Sequence, residues 1–303
     1  MRLRAFGVVA AMGLAAGQAA AAPCMRPAGP GLRDAVPTQS WRSTAADVNW
    51  SPPAEVGALT IGHNPWGAAD MAAGDALVTD LFVDAKDGSG RLRVRAGAPA
   101  TKTGLPKGAP YMLVGMHGDH ASRDNPFTTR GVPGLWTSDL GSLRAETAGT
   151  LIESGPRARY AHAFQTYLYF DRYTGKSHDG APYLDVMVVF NRVNNPASNV
   201  VAERTIDGRP FVIERVDIGG YKDNFYTVQV AVPDRTAFAI DMLAVIETIR
   251  QLHNAHTGRA DARYWMRAVG TWVEPISGRV DYVIDGLRVT VDGRDYGTVA
   301  CGR

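Results

Sequence analysis

The sequence has little cysteine and no excess of charge of either sign. Two cysteines among 303 residues cannot hold a chain of this size together as a dense disulfide framework. The chain has 32 Lys and Arg against 30 Asp and Glu, and the only charged side chains in residues 1–22 are Arg2 and Arg4. Without that segment the two signs balance, so a nucleic-acid partner held through phosphate contacts is not expected.

Long apolar runs are also missing. No stretch approaches about 18 uninterrupted apolar residues, so the sequence predicts no helix inserted in a membrane. Residues 1–22 instead resemble a signal peptide, because two arginines precede the apolar run Phe6–Leu14 and the small residues Ala19–Ala22 offer cleavage sites. This pattern predicts a secreted or periplasmic protein whose mature chain covers residues 23–303.

The two cysteines stand at the two ends of the predicted mature chain. In an oxidising compartment, Cys24 and Cys301 are expected to form a disulfide. In the chain-entropy model, closing so long a loop stabilises the folded state by roughly 4–5 kcal/mol. Two separate buried thiols are the alternative.

Glycine and proline (33 and 18 residues) are scattered rather than concentrated in a linker, which indicates one domain over 23–303. Residues 23–55, rich in proline and small polar residues, are expected to wrap the surface before the first packed strand. Short runs of alternating apolar and polar residues then follow between turn signals, which predicts strands. The predicted strands are Leu77–Val83, Leu92–Arg95, Val200–Ile206, Phe211–Val216, Phe225–Val232, Val280–Ile284 and Leu287–Val291.

Only one segment has a helical pattern. Apolar residues recur at three-residue spacing from about Phe238 to Asn254, and Gly258 is a stop signal. Asp207-Gly208 is a turn signal, and Asp285-Gly286 predicts a two-residue hairpin between the last two strands. Many strands and one helix predict an all-β jelly-roll sandwich of two antiparallel sheets.

The first candidate site lies in a predicted strand from Tyr183 to Phe190. Leu184, Val186 and Val188 share one apolar face, so Asp185 and Met187 lie on the opposite face. A carboxylate on the face opposite the core is typical of a substrate cleft across a bent sheet. An acid on a solvated sheet face is the alternative.

The second candidate strand runs from Tyr264 to Glu274, with Trp272 and Glu274 on one face. An aromatic ring can stack on a sugar while a neighbouring carboxylate reaches the glycosidic oxygen, and two carboxylates across a cleft are the usual equipment for glycoside hydrolysis. The third candidate is the loop around Asn64 and Trp66, which could present an amide and an indole to a ligand. A surface acid beside a turn and a tryptophan packed at a loop corner are the respective alternatives.

These three segments, in this order, resemble motifs of glycoside hydrolase family 12, the retaining endo-glucanases and xyloglucanases. His63-Asn64-Pro65-Trp66-Gly67 is similar to the family's Asn-Asn-x-Trp-Gly. The strand that begins at Asp185 matches in pattern the family's Glu-Ile-Met-Ile-Trp-Leu, which carries its nucleophile. Glu274-Pro275-Ile276-Ser277-Gly278 keeps the Glu-to-Gly spacing of Gly-Thr-Glu-x-Phe-Thr-Gly, which carries its acid/base. The resemblance covers roughly residues 55–292 and implies a concanavalin-like jelly roll with a concave cleft.

The sequence departs from the family pattern at five places. Asp185 stands where the family has Glu, Val189 replaces its Trp, and His63 replaces its first Asn. Gln165 falls near where the family often has an Asp that supports the nucleophile. Two extra residues separate Gly270-Thr271 from Glu274, which requires an insertion or a bulge there.

The resemblance implies a secreted endo-acting glycoside hydrolase for β-1,4-glucan or a xyloglucan-like polysaccharide. Asp185 would be the nucleophile and Glu274 the acid/base, with a pKa raised by the Asp185 charge and by burial against Trp272. Asn64, Trp66, Met187 and Trp272 would contact the substrate. Retention is favoured, although the shorter Asp widens the gap between the carboxylates toward the inverting range of about 6.5–9.5 Å.

Other functions have weaker support in the sequence. A secreted carbohydrate-binding jelly roll without hydrolysis is the main alternative, because Asp185 and Val189 depart from the family pattern. A purely structural envelope protein would instead bury both Trp66 and Trp272. His117, Asp119 and His120 lie close together, but no fourth ligand has a suitable spacing, so neither a metal nor another cofactor is expected. A single net-neutral domain is compatible with a monomer.

Overall fold

The computed structural model describes residues 25, 32, 35–86, 88–117, 120–169, 183–193, 199–216, 225–230, 235–259 and 263–297. The predicted signal peptide, Cys24 and Cys301 lie outside these residues, so the structure does not bear on the predicted cleavage or disulfide.

Strands dominate the described residues. They are joined by one α-helix, α1 (Met242–Thr257), and two single-turn 3-10 helices, Ala68–Asp70 and Thr137–Asp139. The strands are β1 (Gln39–Ser43), β2 (Ala54–Val56), β3 (Leu59–Gly62), β4 (Leu77–Val83), β5 (Gly90–Ala96), β6 (Tyr111–His117), β7 (His120–Ala121), β8 (Thr128–Thr129), β9 (Val132–Pro133), β10 (Leu135–Trp136), β11 (Leu143–Ser154), β12 (Arg159–Tyr169), β13 (Tyr183–Val193), β14 (Val200–Ile206), β15 (Arg209–Arg215), β16 (Phe225–Gln229), β17 (Arg235–Asp241), β18 (Trp265–Met266), β19 (Ala268–Ser277), β20 (Val280–Val291) and β21 (Arg294–Gly297).

These strands form two main sheets. The smaller has the order β1-β4-β5-β20-β11-β17, with β21 beside β20. The larger has the order β14-β15-β16-β13-β12-β19-β6-β3-β2, with the short strands β7, β10 and β18 attached. Strands pair antiparallel except β13 and β16, which run parallel. This architecture confirms the predicted jelly-roll sandwich of two antiparallel sheets with one helix among the described residues.

The main core lies between the two sheets. Alternation in β13 points Leu184, Val186 and Val188 into it, and each of these side chains is fully buried. The other face of the same strand therefore points away from the smaller sheet. This division positions Asp185 outside the main core.

The helix begins later than its sequence pattern predicts. Phe238 and Ile240 belong to β17, where Ile240 pairs with Ala145 of β11. Asp241 then caps α1 by accepting a 2.9 Å hydrogen bond from the Ala244 amide. At the other end Gly258 has a φ of 70°, as expected for a glycine stop.

Two further sequence predictions are wrong. Asp285-Gly286 is not a hairpin turn, because β20 runs on from Val280 to Val291 and pairs with β11 on both sides of this dipeptide. Asp285 is an extra residue in that ladder, since the register shifts between Ile284 and Gly286. Within 35–55, the chain does more than wrap the surface, because β1 pairs with β4 and buries Trp41. The turn at Asp207-Gly208 does occur, with φ values of 52° and 72°.

Candidate functional site

The candidate residues meet on the face of the larger sheet that points away from the smaller sheet. Residues that pair directly across neighbouring strands share a face. Met187 of β13 pairs with Gln165 of β12, and Gln165 pairs with Gly270 of β19. We call this surface the cleft face, and it carries Asp185, Met187, Trp272 and Glu274.

Gln165 holds the carboxylate of Asp185. Its side-chain amide donates to Oδ1 at 2.9 Å and to Oδ2 at 2.8 Å. The two residues are each 6% exposed. An amide group that donates to both oxygens fixes the orientation of the carboxylate and carries no charge of its own.

Burial raises the pKa of Asp185 to about 8. The hydrogen bond from Gln165 opposes this rise, because it favours the ionised form, whereas the negative charge of Glu274 adds to it. The two carboxylates are therefore close enough to influence each other's ionisation. In the free protein at neutral pH, the balance of these effects leaves the proton on Asp185.

Glu274 is half-buried on β19, opposite Ala161 of β12. Since β12 lies between β13 and β19, the two carboxylates lie on a shared face on either side of β12. Asp185 is opposite Tyr167 and Glu274 is opposite Ala161, six residues away along that strand. The register from Gly270 to Glu274 is regular, and it shifts only between Pro275 and Ser277. The bulge therefore follows Glu274, whereas the sequence comparison predicts an irregularity before it.

Asn64 and Trp66 lie in the loop that follows β3. Asn64 has a φ of 38°, and its carbonyl accepts a 2.9 Å hydrogen bond from the Ala109 amide. Trp66 is 42% exposed, so its ring is open to a ligand. Gly67 allows the close approach of the next segment, because a Cβ there would lie 1.9 Å from the carbonyl oxygen of Pro106.

Residues 106–110 connect this loop to the strand that carries Glu274. The Lys107 amide donates to the Pro275 carbonyl at 2.9 Å, and the Val273 amide donates to the Pro110 carbonyl at 3.1 Å. Both residues adjacent to Glu274 are thus held by this segment, which we call the Lys107 segment. It sets the position of Glu274 relative to Asn64 and Trp66.

A buried ion pair anchors the Lys107 segment. Lys107 is fully buried, and its Nζ lies 2.5 Å from Oδ2 of Asp75 and donates to the Gly97 carbonyl at 2.7 Å. Gly97 packs so closely on the pair that a Cβ would lie 2.0 Å from Oδ1 of Asp75. The sequence gives no local signal for this pair, because its two residues are 32 positions apart.

Trp272 and Met187 lie on the cleft face but are only 1% and 4% exposed. The ring of Trp272 packs against that of Tyr111, with centroids 4.7 Å apart. Tyr111 in turn lies over Gly62, where a Cβ would be 2.5 Å from the tyrosine ring. In the free protein Trp272 and Tyr111 form an apolar floor, and Trp66 is the candidate aromatic ring that is open to solvent.

A buried polar chain supports this floor from the core side. His162 on β12 lies 2.8 Å from the hydroxyl of Tyr282 and 2.9 Å from that of Thr271. Thr271 donates to the Ala163 carbonyl at 3.2 Å, so it accepts from His162 Nε2 and leaves Nδ1 to accept from Tyr282. Burial lowers the pKa of His162 to about 3, which keeps it neutral. The chain joins the two sheets beneath Trp272.

His63, next to Asn64, points into the core rather than toward a substrate. Its Nε2 lies 2.9 Å from Ser43 Oγ and its Nδ1 lies 2.6 Å from Thr79 Oγ1. Burial lowers its pKa to about 4. His63 therefore ties the base of the Asn64 loop to the smaller sheet.

Within the described part of the chain, no three His, Cys, Asp or Glu side chains come together as metal ligands. Asp119 and the side chain of His117 lie outside that part. None of the described helices is long and apolar enough to cross a membrane.

Several solved structures with the same architecture are glycoside hydrolases of family 12. A metagenome-derived family 12 endoglucanase matches with a TM-score of 0.63 and 18% identity, over 86% of this chain and 100% of its own. A family 12 xyloglucanase from Bacillus licheniformis matches with a TM-score of 0.61 and 18% identity, over 84% of this chain and 100% of its own. An endoglucanase from Rhodothermus marinus matches with a TM-score of 0.61 and 17% identity, over 84% of this chain and 99% of its own.

The chain has the family 12 fold. The sequence identity to these three structures and to one further family 12 structure is 15–18%. At this level, the likeness establishes the jelly-roll fold and not the activity. No protein-family model matches the sequence, and no curated protein does so either.

Proposed function

We propose that the protein is a secreted, endo-acting glycoside hydrolase that cleaves a β-linked polysaccharide such as β-1,4-glucan or a xyloglucan. The observation that carries the proposal is the pair of carboxylates on the cleft face: Asp185 and Glu274 flank β12, and the charge of Glu274 raises the pKa of Asp185. Paired acids on a shared surface are the requirement of this chemistry. The family 12 fold supplies the matching scaffold.

In the proposed retaining reaction, ionised Asp185 attacks the anomeric carbon and Glu274 protonates the departing glycosidic oxygen. This step breaks the glycosidic bond and leaves a sugar ester on Asp185. Glu274, now ionised, takes a proton from water, whose oxygen attacks the same carbon and releases Asp185 as a carboxylate. Gln165 stabilises the charge on Asp185 before attack and after release, because its amide donates to both oxygens.

The raised pKa of Asp185 sets the pH dependence. The nucleophile has to be ionised, and burial holds its pKa at about 8 in the free protein. Because Glu274 has to be protonated at the same time, we expect a bell-shaped kcat/KM profile with one limb near pH 8. The resemblance assigned a raised pKa to Glu274, whereas the described geometry raises that of Asp185.

A carbohydrate-binding protein without hydrolysis is the second candidate function. The observation that favours it is the same burial of Asp185, because a protonated carboxyl group is a poor nucleophile. Trp66 and the half-buried Glu274 would then serve binding alone.

Digestion of a panel of β-glucans, xyloglucans and other cell-wall glycans, with detection of new reducing ends, tests the proposal. The wild type should release reducing ends from at least one member at pH 8, and Glu274→Gln should release almost none. Binding to a glycan without release of reducing ends would support the second candidate. A Glu274→Gln variant with full activity would show that the acid/base is misassigned.

A further inference from the structure

A cavity of about 280 Å³ lies on the outer face of the smaller sheet. Arg42 of β1 pairs there with Val78 of β4, and Val78 pairs with Arg95 of β5. Paired positions share a face, so the two arginines lie on either side of Val78, roughly 10 Å apart at the usual spacing between strands. The neighbouring residues Trp41 and Leu77 point the other way, into the core. This cavity, which we call the Arg42 cavity, is therefore on the opposite surface of the sandwich from the cleft face.

Three arginines line the Arg42 cavity, and all of them are accessible to solvent. They are Arg42, Arg95 and Arg279. The side chains of Arg95 and Arg279 are 45% and 64% exposed, and Arg42 is exposed as well. A ligand in solution can thus reach each of the three guanidinium groups.

The two carboxylates that line the cavity already have cations of their own. Asp75 pairs with the buried Lys107, and both oxygens of Asp281 accept hydrogen bonds from Arg93, at 2.8 and 2.7 Å. Neither Lys107 nor Arg93 lines the cavity. The lining acids are therefore neutralised from behind the cavity and do not neutralise its arginines.

Two of the three arginines have acidic partners beside the cavity. Nη2 of Arg95 lies 2.5 Å from Oδ2 of Asp80, and Nη1 of Arg279 lies 3.2 Å from Oε1 of Glu153. Among the residues that the structure describes, no carboxylate pairs with Arg42. The cavity thus keeps one uncompensated positive charge, which attracts an anion into a concave site.

We propose that the Arg42 cavity binds the carboxylate of a uronic acid residue in an acidic polysaccharide. A carboxylate has one negative charge, which matches the single uncompensated arginine, whereas a phosphate monoester has about 1.5–2 at pH 7. The two oxygens of a carboxylate also match the parallel N–H groups of a guanidinium. The volume lies near the lower limit of roughly 300 Å³ for ligand pockets and suits one sugar residue.

Arg95 supplies further donors for the same sugar. Its ion pair with Asp80 uses one recorded hydrogen bond, and a guanidinium has five N–H groups. The remaining groups can donate to the sugar hydroxyls while Arg42 holds the carboxylate. The site goes beyond the proposed function, because binding here requires no hydrolysis and no residue of the cleft face.

Calorimetry with α-1,4-linked trigalacturonate tests the proposal. The wild type should bind it, and an excess of the neutral trisaccharide cellotriose should not displace it. Arg42→Gln should weaken binding about tenfold or more, because it removes charge-assisted hydrogen bonds. The matched control is Arg204→Gln on β14 of the larger sheet, since Arg204 is exposed and donates to the Glu203 carbonyl. This variant should bind trigalacturonate like the wild type.

Several outcomes would overturn the site. They are a wild type that does not bind trigalacturonate, unchanged binding in a folded Arg42→Gln protein, and an equal loss in Arg204→Gln. Displacement by cellotriose would instead place the acidic sugar in the cleft, and equally tight binding of inorganic phosphate or sulfate would show a general anion site.

If Arg42→Gln does not fold, Arg42→Lys replaces it, because lysine keeps the charge but loses the paired N–H groups. Unchanged binding in that variant also overturns the site. A wild type that binds trigalacturonate but releases no reducing ends from the glycan panel would overturn the proposed function and leave the Arg42 cavity as a binding site.

Discussion

The two candidate catalytic carboxylates occupy contrasting surroundings. Asp185 is 6% exposed, is held by the side chain of Gln165, and has a pKa raised by burial. Glu274 is half-buried, and its position depends on backbone hydrogen bonds that join the two adjacent residues, Val273 and Pro275, to the Lys107 segment. The surroundings of Asp185 thus control its ionisation, while those of Glu274 control its place in the cleft. A hydrolase that splits its acids into two roles needs both kinds of control.

The largest expected effect comes from removing either acid. Asp185→Asn and Glu274→Gln keep the shape of the side chains but remove the nucleophile and the acid/base. Each should lower kcat on the preferred glycan by about 10²–10⁴-fold or more. Initial rates of reducing-end release measure this, with thermal melts to verify folding. Near-normal turnover in either variant would show that the pair is misassigned.

Lys107→Met should disturb the Glu274 side of the cleft. It leaves Asp75 buried without its cation, which costs about 3–5 kcal/mol of the free energy of unfolding. Lys107→Met/Asp75→Leu should recover much of that stability, but a repacked Lys107 segment should still raise KM. The control is Arg279→Met, because the ion pair of Arg279 with Glu153 is exposed. Equal losses from both single variants would contradict the anchoring role.

The stability of Asp185→Asn should depend on pH. Because the pKa of Asp185 rises from 3.8 to about 8 on folding, the folded wild type holds a proton that the unfolded chain releases. The stabilisation from this proton is complete below pH 3.8 and is lost as the pH rises through 8, at about 1.4 kcal/mol per pKa unit. Asp185→Asn does not undergo this loss, so its Tm relative to that of the wild type should rise by roughly 10 °C or more between pH 4 and pH 9.

Chemical or thermal unfolding across this pH range measures the difference. Glu203→Gln, at an exposed position, should show no such trend. A constant difference between Asp185→Asn and the wild type would mean that Asp185 is ionised in the folded protein at neutral pH.

The smallest expected effect comes from Gln165→Leu. Losing the two hydrogen bonds removes the contribution that lowers the pKa of Asp185, so the limb of the kcat/KM profile that reports Asp185 should move to higher pH. At pH 7 we expect roughly a tenfold loss of activity, shrinking at higher pH, since a hydrogen bond to a charged group contributes about 1.5–3 kcal/mol. A uniform loss at every pH would indicate that Gln165 only shapes the cleft.

Alternation along the chain predicted much of the fold, because a strand that buries one face leaves a period of two in its sequence. It placed Leu184 and its neighbours in the core, and by exclusion Asp185 on the other face. At Asp285-Gly286, by contrast, the sequence pattern predicted a turn that the structure does not have. A dipeptide that favours a turn in isolation was kept extended by strands pairing on both sides, with one residue bulged.

The site was harder to predict than the fold, since its details depend on contacts between distant segments. Asp75 and Lys107 lie in connecting segments 32 residues apart, and nothing in the sequence shows that they meet. The burial of Trp272 under its contact with Tyr111 was missed for the same reason. The two-residue spacing between Trp272 and Glu274 correctly placed both on one face, but it carried no information about which side chains cover Trp272.

The central claim is that Asp185 acts as a nucleophile with Glu274 as its acid/base. Incubation with an activated 2-deoxy-2-fluoro oligosaccharide, which slows breakdown of the sugar ester, tests it by intact mass and peptide mapping. We expect one added glycosyl group per chain, located on Asp185 and forming faster at pH 8 than at pH 6. Hydrolysis of the parent glycan with no adduct on Asp185, or with an inverted anomer as first product, would contradict it.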